Sequence, residues 1–399
     1  MRPRLMLYES ASGGHRAEHL CWLADAWMAR DRDDVLVLVP PQQLADNFPE
    51  VADRANASGG RIRLAPYDSA LEQGTQWDSL LGTRRAEPLA RAILAHRPER
   101  VLAMSFDHFL APLGWGVPLP ADALVSGIFF RPTLHYDAIG SPSTSLRERA
   151  ERTLKRLLTR RALRHPAFDT LFSLDPTAVP ALQALGPNVA LLPDPVPEEP
   201  VLRPRNEVRA DLGIEPGRTL FLLAGGLDDR KGPLETLRAL LALAPEAQAR
   251  TAVAFMGRVG ADVRDRFDAL ADEVRGSTAV QLVVRDAFVP TGEMQTVVAA
   301  ADVLLVPYVK HVGSSGFLMR AAGAGVPVLS QAWGAMGHLV REHGLGQTVD
   351  PTDTRALATS LSRASQTPEA GFDPEGAARF AARFTVQAYT ETILNRLAP

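Results

Sequence analysis

The sequence predicts an α/β protein of two doubly wound parallel sheets, each Rossmann-like, facing one another across a cleft. Three observations point there. Apolar runs of strand length alternate with helical patterns along almost the whole chain, as parallel strands with crossover helices require. Those runs are continuous rather than alternating in hydrophobicity, as expected of strands covered on both faces. And 399 residues exceed what one ordinary core holds.

The elements follow in order. The first half offers the strand candidates RLMLYE, VLVLV, RIRLA, RVLAM, ALVSGIFF and FDTLFSL; the second offers TLFLLA, TAVAFMG, VQLVVRD, VLLVPYV and PVLSQ. Between them lies LLPDPVPEEPVLRPR, residues 191–205, whose five prolines and mixed charges read as an interdomain linker. The expected division is therefore 1–195 for the first domain and 196–372 for the second. The helical segment 373–399, single or split, is expected to cross back onto the first. Ligands of such sheets bind beyond the carboxyl ends of the strands.

Composition excludes several classes. With 46% hydrophobic and 22% charged residues the chain reads as soluble and globular. A formal net charge of −3 argues against generic nucleic-acid binding. A single cysteine, Cys21, rules out an intrachain disulfide and any cysteine-based zinc cluster, and fits a reducing compartment. The N-terminus shows no apolar signal region, and the longest apolar runs are too short to span a bilayer. The expected location is cytoplasmic. Peripheral contact with the inner face of a membrane is a further reading, because the helix expected over 146–164 sets Leu146, Ala150, Leu154, Leu157, Leu158 and Ala162 on one stripe and a dense set of arginines on the other. A solvated arginine face over an ordinary packed stripe explains the same pattern.

Two stretches carry most of the chemical signal. In residues 219–243 an apolar strand runs into Gly225-Gly226, then Asp228-Asp229 and Arg230-Lys231-Gly232 before a leucine-rich helix. Such a turn aims backbone N–H groups and two cations at one small volume, which suits a diphosphate. The chain holds only three lysines, Lys155, Lys231 and Lys310, so one in a strand-to-helix loop is conspicuous. In residues 301–331 a strand ends at Pro307-Tyr308. Lys310 and His311 then precede Gly313-Ser314-Ser315-Gly316, which opens a helix and again supplies N–H groups, hydroxyls and a helix dipole.

The first domain offers weaker signals. Gly13-Gly14 follow the first strand and suit either a tight turn or close approach of a ligand. His15 and His19, four apart, lack the further ligands a metal needs. Asp107 and His108 stand at the end of the fourth strand. There His108 serves as a general base, as a hydrogen-bond partner of sugar hydroxyls, or as a structural residue. Arg131 and His135 lie at a similar level.

The two C-terminal constellations, in this order and spacing, resemble the nucleotide-sugar-binding half of GT-B glycosyltransferases, in particular the retaining glycosyltransferase family 4 (group 1). The similarity runs from about residue 191 to 364 and takes in the Gly-Gly…Lys-Gly loop, the Ala-Asp-Val strand, the Gly-Val-Pro-Val turn and HLVREHGLGQTVDPTD. The first half is similar only in outline. The resemblance implies that Lys231 neutralises the donor diphosphate, with Arg230 standing in for an arginine usually placed where this chain has Gly226. It also implies that Val289 and Pro290 lie at the nucleotide base, that Ser314, Ser315 and Gly316 cradle phosphate, and that His108 contacts the transferred sugar. One departure concerns two family glutamates. Aligned on Gly-Val-Pro-Val, one becomes Arg320 and the other falls near His311 and Val312. Arg320 is then expected near the ribose or the diphosphate, or else paired with a nearby acid.

The function implied is a metal-independent, nucleotide-sugar-dependent glycosyltransferase of hexosyltransferase type, in polysaccharide or glycoconjugate biosynthesis. The nucleotide sugar is the donor substrate, no separate cofactor is needed, and the acceptor is a glycan, lipid-linked or protein group. The alternative is a non-catalytic GT-B-fold nucleotide-binding or scaffold subunit of a glycosylation complex, favoured by the replaced glutamates.

Overall fold

The structure, a computed structural model, describes residues 3–12, 14–68, 82–121, 123–136, 138–139, 146–196, 199–309 and 311–399. The chain forms two compact units. One holds Met1–Ala138, Ser143–Pro193 and Val386–Pro399; the other holds Asp194–Thr385 together with Ile139–Pro142.

The first unit is built on a seven-stranded sheet of β1 (Leu5–Tyr8), β2 (Leu36–Val39), β3 (Ile62–Leu64), β4 (Arg100–Ala103), β5 (Leu124–Phe129), β6 (Phe168–Ser173) and β7 (Val189–Leu191). Its order is β3-β2-β1-β4-β5-β6-β7, and every pairing is parallel. The second carries six parallel strands, β8 (Thr219–Ala224), β9 (Thr251–Met256), β10 (Gln281–Arg285), β11 (Val303–Val306), β12 (Val328–Gln331) and β13 (Gly346–Val349), in the order β10-β9-β8-β11-β12-β13. Central strands are buried on both faces, which is why they are apolar without alternation. Leu220 and Leu222 of β8 enter one core while Phe221 and Leu223 enter the other. In β1, Met6 and Tyr8 divide from Leu5 and Leu7 in the same way.

In each sheet the strand order reverses beside the first strand, between β1 and β4 and between β8 and β11. Neighbouring loops diverge at such a switch point and leave a crevice at the carboxyl ends of the strands. The two loops singled out in the second half follow β8 and β11. The candidates Asp107 and His108 follow β4.

Three local features refine the expectation. Strands β7 and β13 were not anticipated. Both are short edge strands; β13 reads GQTV and is mostly half-buried, so it lacks the apolar run of a central strand. The tail 373–399 divides. The helix Pro374–Arg383 buries Phe380 in the second unit, whereas Val386–Leu397 buries Tyr389, Ile393, Leu394 and Leu397 in the first. There the Tyr389 hydroxyl meets His19 Nδ1 at 2.7 Å, and Arg30 holds the Ala398 carbonyl at 2.5 Å. The apolar stripe of the basic helix, Leu146–Ala162, also splits. Leu158 and Ala162 are buried and Leu154 half-buried, but Leu146, Ala150 and Leu157 are exposed beside the arginines. Leu157 lies about a quarter-turn from Leu158, so one helix face cannot bury both.

Candidate functional site

The loop after β8 is a compact cation holder. Asp228 caps a single 3-10 turn, Asp229–Lys231, by accepting the Lys231 N–H at 3.1 Å. Gly232 then takes the left-handed conformation (φ 71°), and a Cβ there would lie 2.2 Å from the Pro307 carbonyl of the neighbouring loop. This turn folds the Lys231 side chain back over the end of β8, where Nζ donates to the Ala224 carbonyl at 3.0 Å. The ammonium lies 4.5 Å from the Phe317 ring centroid and 5.8 Å from that of Tyr308. Gly225 (φ 88°) makes room for it, since a Cβ there would come within 2.4 Å of Nζ. Among the described residues no carboxylate forms an ion pair with this lysine, and only 7% of it is exposed. Burial, together with the nearby Arg230 cation, pushes its pKa down to about 8.

Arg230 ties the two loops together. Its carbonyl accepts the Val309 N–H at 2.7 Å, its guanidinium lies 3.0 Å from His311 Nδ1, and it sits 5.5 Å from the Tyr308 ring centroid. Because a guanidinium only donates, Nδ1 of His311 is the acceptor and Nε2–H donates to the Ser314 carbonyl at 2.9 Å. Ser315 caps the helix Gly316–Ala324 by accepting the Phe317 N–H, and its hydroxyl lies 3.2 Å from that of Tyr308. Burial pushes the Tyr308 phenol up to about 12. Lys231, Arg230, Ser315 and the start of this helix thus converge at the switch point of the second sheet. A Cβ at Gly226 or Gly316 would meet nothing within 4 Å, so open space borders both. Of the two loop glycines it is Gly225 that the local conformation requires. Lys310 lies outside the described residues.

Arg320 is occupied. Its guanidinium forms a two-pronged pair with the Glu199 carboxylate, at 2.7 and 2.8 Å, and both side chains are largely buried. Of the two expectations for Arg320, these contacts match pairing with a nearby acid, which the connector supplies. Asp194 of the same connector accepts the Ser314 hydroxyl. Neither acid stood out in the sequence, since the proline-rich composition masks them as linker charges. Val289 is half-buried against the core and Pro290 caps the helix Thr291–Ala300, both just after the edge strand β10.

In the first unit, Gly13 lies outside the described residues and Gly14 is the first residue of the helix Gly14–Met28. A polar cluster occupies the β1/β4 switch point. Glu9, fully buried, accepts through Oε1 from the Ser10 N–H (2.6 Å), the Ala11 N–H (2.7 Å) and the Ser105 hydroxyl (2.7 Å). Burial raises its pKa, opposed mainly by Arg16. His108 Nδ1 lies 2.7 Å from Ser10 Oγ. Asp107 receives the N–H groups of Phe130 (2.9 Å) and Arg131 (3.1 Å), so it fixes the next loop and is not a partner of His108. His135 is buried away from these groups, its Nε2 2.7 Å from the Thr177 hydroxyl and 3.3 Å from Asp175. Glu9 escaped notice in the sequence, although an acid directly after a fully buried strand was the available signal.

Residues 218–367 match the family described as "Glycosyl transferases group 1". The chain is 29% identical over 203 residues to a D-inositol 3-phosphate glycosyltransferase of Thermobispora bispora, covering 48% of this chain and 47% of that one. It is 33% identical over 177 residues to a protein of the same name from a Nocardioides strain, covering 41% and 38%. The matched stretch thus spans less than half the length of these curated relatives. Among solved structures, Anabaena HepE in complex with UDP superposes with a TM-score of 0.68 at 14% identity, covering 99% of both chains. Sucrose-phosphate synthase from Thermosynechococcus elongatus does so with 0.69 at 15% identity, covering 99% and 98%. WaaG, involved in lipopolysaccharide biosynthesis, gives 0.62 at 17% identity, covering 99% of both. The fold is GT-B, and its second unit carries the segment that matches group 1 glycosyl transferases.

Proposed function

We propose that this protein transfers a hexose from a nucleoside-diphosphate sugar to an acceptor hydroxyl. The observation that carries this reading is the buried Lys231 ammonium at the switch point of the second sheet, which has no carboxylate partner among the described residues. A buried cation held on a carbonyl and two ring faces is costly unless an anion completes the site. A departing nucleoside diphosphate is such an anion. Lys231 and Arg230 neutralise it while the N–H groups at the start of Gly316–Ala324 bind phosphate oxygens. Val289 and Pro290 border the base, and in the first unit His108 is read as a partner of sugar hydroxyls. The relatives named for glycosyl transfer to D-inositol 3-phosphate support a hydroxyl acceptor.

The deciding experiment is a binding screen with UDP-, GDP-, ADP- and dTDP-sugars, followed by an assay for free nucleoside diphosphate. Binding with release supports the enzyme; binding without release supports a non-catalytic subunit; no binding rejects the site. Among the described residues no three His, Cys, Asp or Glu side chains are grouped as metal ligands. Because Lys231 and Arg230 supply the positive charge a metal would otherwise bring, turnover is expected to persist in excess chelator, and loss restored by magnesium or manganese would contradict metal independence.

Among the described residues no helix is long and apolar enough to cross a membrane. Contact with an anionic lipid surface is proposed through the helix Leu146–Ala162. Exposed Leu146, Ala150 and Leu157 there adjoin Arg156, Arg160 and Arg161, and Arg161 lies 6.0 Å from the ring of exposed Trp115. The protein is expected to float with phosphatidylglycerol vesicles and not with phosphatidylcholine vesicles, and Arg156→Glu/Arg160→Glu should abolish flotation. Equal recovery with both vesicle types would reject the contact.

A further inference from the structure

We propose that Ser10 is a positioning residue that holds His108 in the Nε2–H tautomer, so that His108 presents a hydrogen-bond donor, and not a base, to the ligand of the first domain. This rests on the reading that His108 faces a bound sugar.

The geometry begins in the sheet. Tyr8 and Ala103 are paired at the ends of β1 and β4, so the residues that follow run side by side into the switch point. Glu9 fastens them. Its Oε1 gathers the N–H groups of Ser10 and Ala11 from one loop and the Ser105 hydroxyl from the other. On the β4 side, His108 ends the 3-10 turn Phe106–His108. Phe106 seats against Gly127 of β5, where any Cβ would fall 2.4 Å from its ring. The backbone of Ser10 is therefore anchored by Glu9, and the turn that carries His108 by Ser105 and Phe106.

Neutral imidazole carries its proton on one nitrogen, and the contact at Nδ1 decides which. Ser10 is 5% exposed, and Nδ1 is the one partner of its hydroxyl among the described residues. If Nδ1–H donated to Oγ, the serine proton would be left buried without an acceptor. If Oγ–H donates to Nδ1, only oxygen lone pairs go unused, which costs less. The second arrangement places the ring proton on Nε2. That nitrogen forms no bond with a described residue, and in this proposal it is the atom that meets the ligand. The ring remains neutral at physiological pH because burial and the nearby Arg85 push its pKa down to about 4, against the opposing pull of Asp107. Arg16 and Arg131 act in the same direction as Arg85. A neutral Nε2–H matches an oxygen acceptor such as a sugar hydroxyl and cannot remove a proton.

Long-range proton–nitrogen correlation spectra of protein labelled with 15N-histidine test this directly, with the His108 signals assigned by their loss in His108→Gln. At pH 7.5 the wild type should show the Nε2–H pattern, and Ser10→Ala should shift it toward a mixture of tautomers. An Nδ1–H pattern in the wild type, or an unaltered pattern in Ser10→Ala, would overturn the proposal. These spectra need no substrate, so they decide the tautomer even if glycosyl transfer is not found. With activity in hand, His108→Gln, whose amide nitrogen reaches the Nε2 position, should retain kcat/KM roughly tenfold above His108→Asn, the worth of one neutral hydrogen bond. Equal loss in both would count against a donor at Nε2.

Discussion

Lys231→Met weakens nucleoside-diphosphate binding by roughly ten- to hundredfold and leaves the protein at least as stable as the wild type. That is the expected result, and it separates a lysine kept for a ligand from one kept for the fold. Removing a charge-assisted contact to phosphate costs about 1.5–3 kcal/mol, or roughly ten- to hundredfold in affinity. Loss of electrostatic support for the leaving group costs on the order of a hundredfold or more in turnover. The stability sign follows from linkage. Lys231 is a base whose folded pKa is depressed to about 8 from 10.5, so its burial as a cation opposes folding at neutral pH. The cost, roughly 3 kcal/mol at most, is full below about pH 8. It fades as the folded state sheds its proton between about 8 and 10.5. Met keeps the apolar stem against Phe317 and Tyr308 without the charge, so Tm should rise by a few degrees at pH 7 and the gap should close by pH 10.5. Titration calorimetry and thermal melts across pH are the measurements. A fall in Tm with donor affinity unchanged would mean that the lysine serves the loop itself.

The second large effect is structural. Arg320→Glu sets two carboxylates together in a largely buried site, and Glu199→Arg sets two guanidinium groups together; each breaks the pair and should cost about 3–5 kcal/mol. Donor affinity in Arg320→Glu would fall with the fold and not through repulsion of phosphate at a folded site. The exchange Arg320→Glu/Glu199→Arg should recover part of the lost stability in a double-mutant cycle. Thermal denaturation of the four proteins decides it. Wild-type stability in Arg320→Glu would show that the pair contributes nothing, and would return Arg320 to the list of groups free to meet a ligand.

The sequence by itself determined the fold and singled out the loops after β8 and β11. Continuous apolar runs separated by helical patterns are what doubly covered parallel strands need, and a chain made of them has few other ways to fold. Lys231, Arg230, Ser314 and Ser315 stood out because glycines and cations directly after buried strands have a local cause, visible within a dozen residues. Edge strands β7 and β13 did not stand out, β7 because its apolar run is only three residues long and β13 because GQTV has no apolar run. Tertiary structure alone decided the partners. The Arg320–Glu199 pair joins groups 121 residues apart, and the Ser10–His108 contact joins groups 98 apart. Neither has a local signature, since hydrogen-bond complementarity between distant residues exists only once the sheet sets their register. The exposed half of the Leu146–Ala162 stripe belongs with these. Periodicity shows that a helix has an apolar side, but only packing shows how much of that side the domain covers.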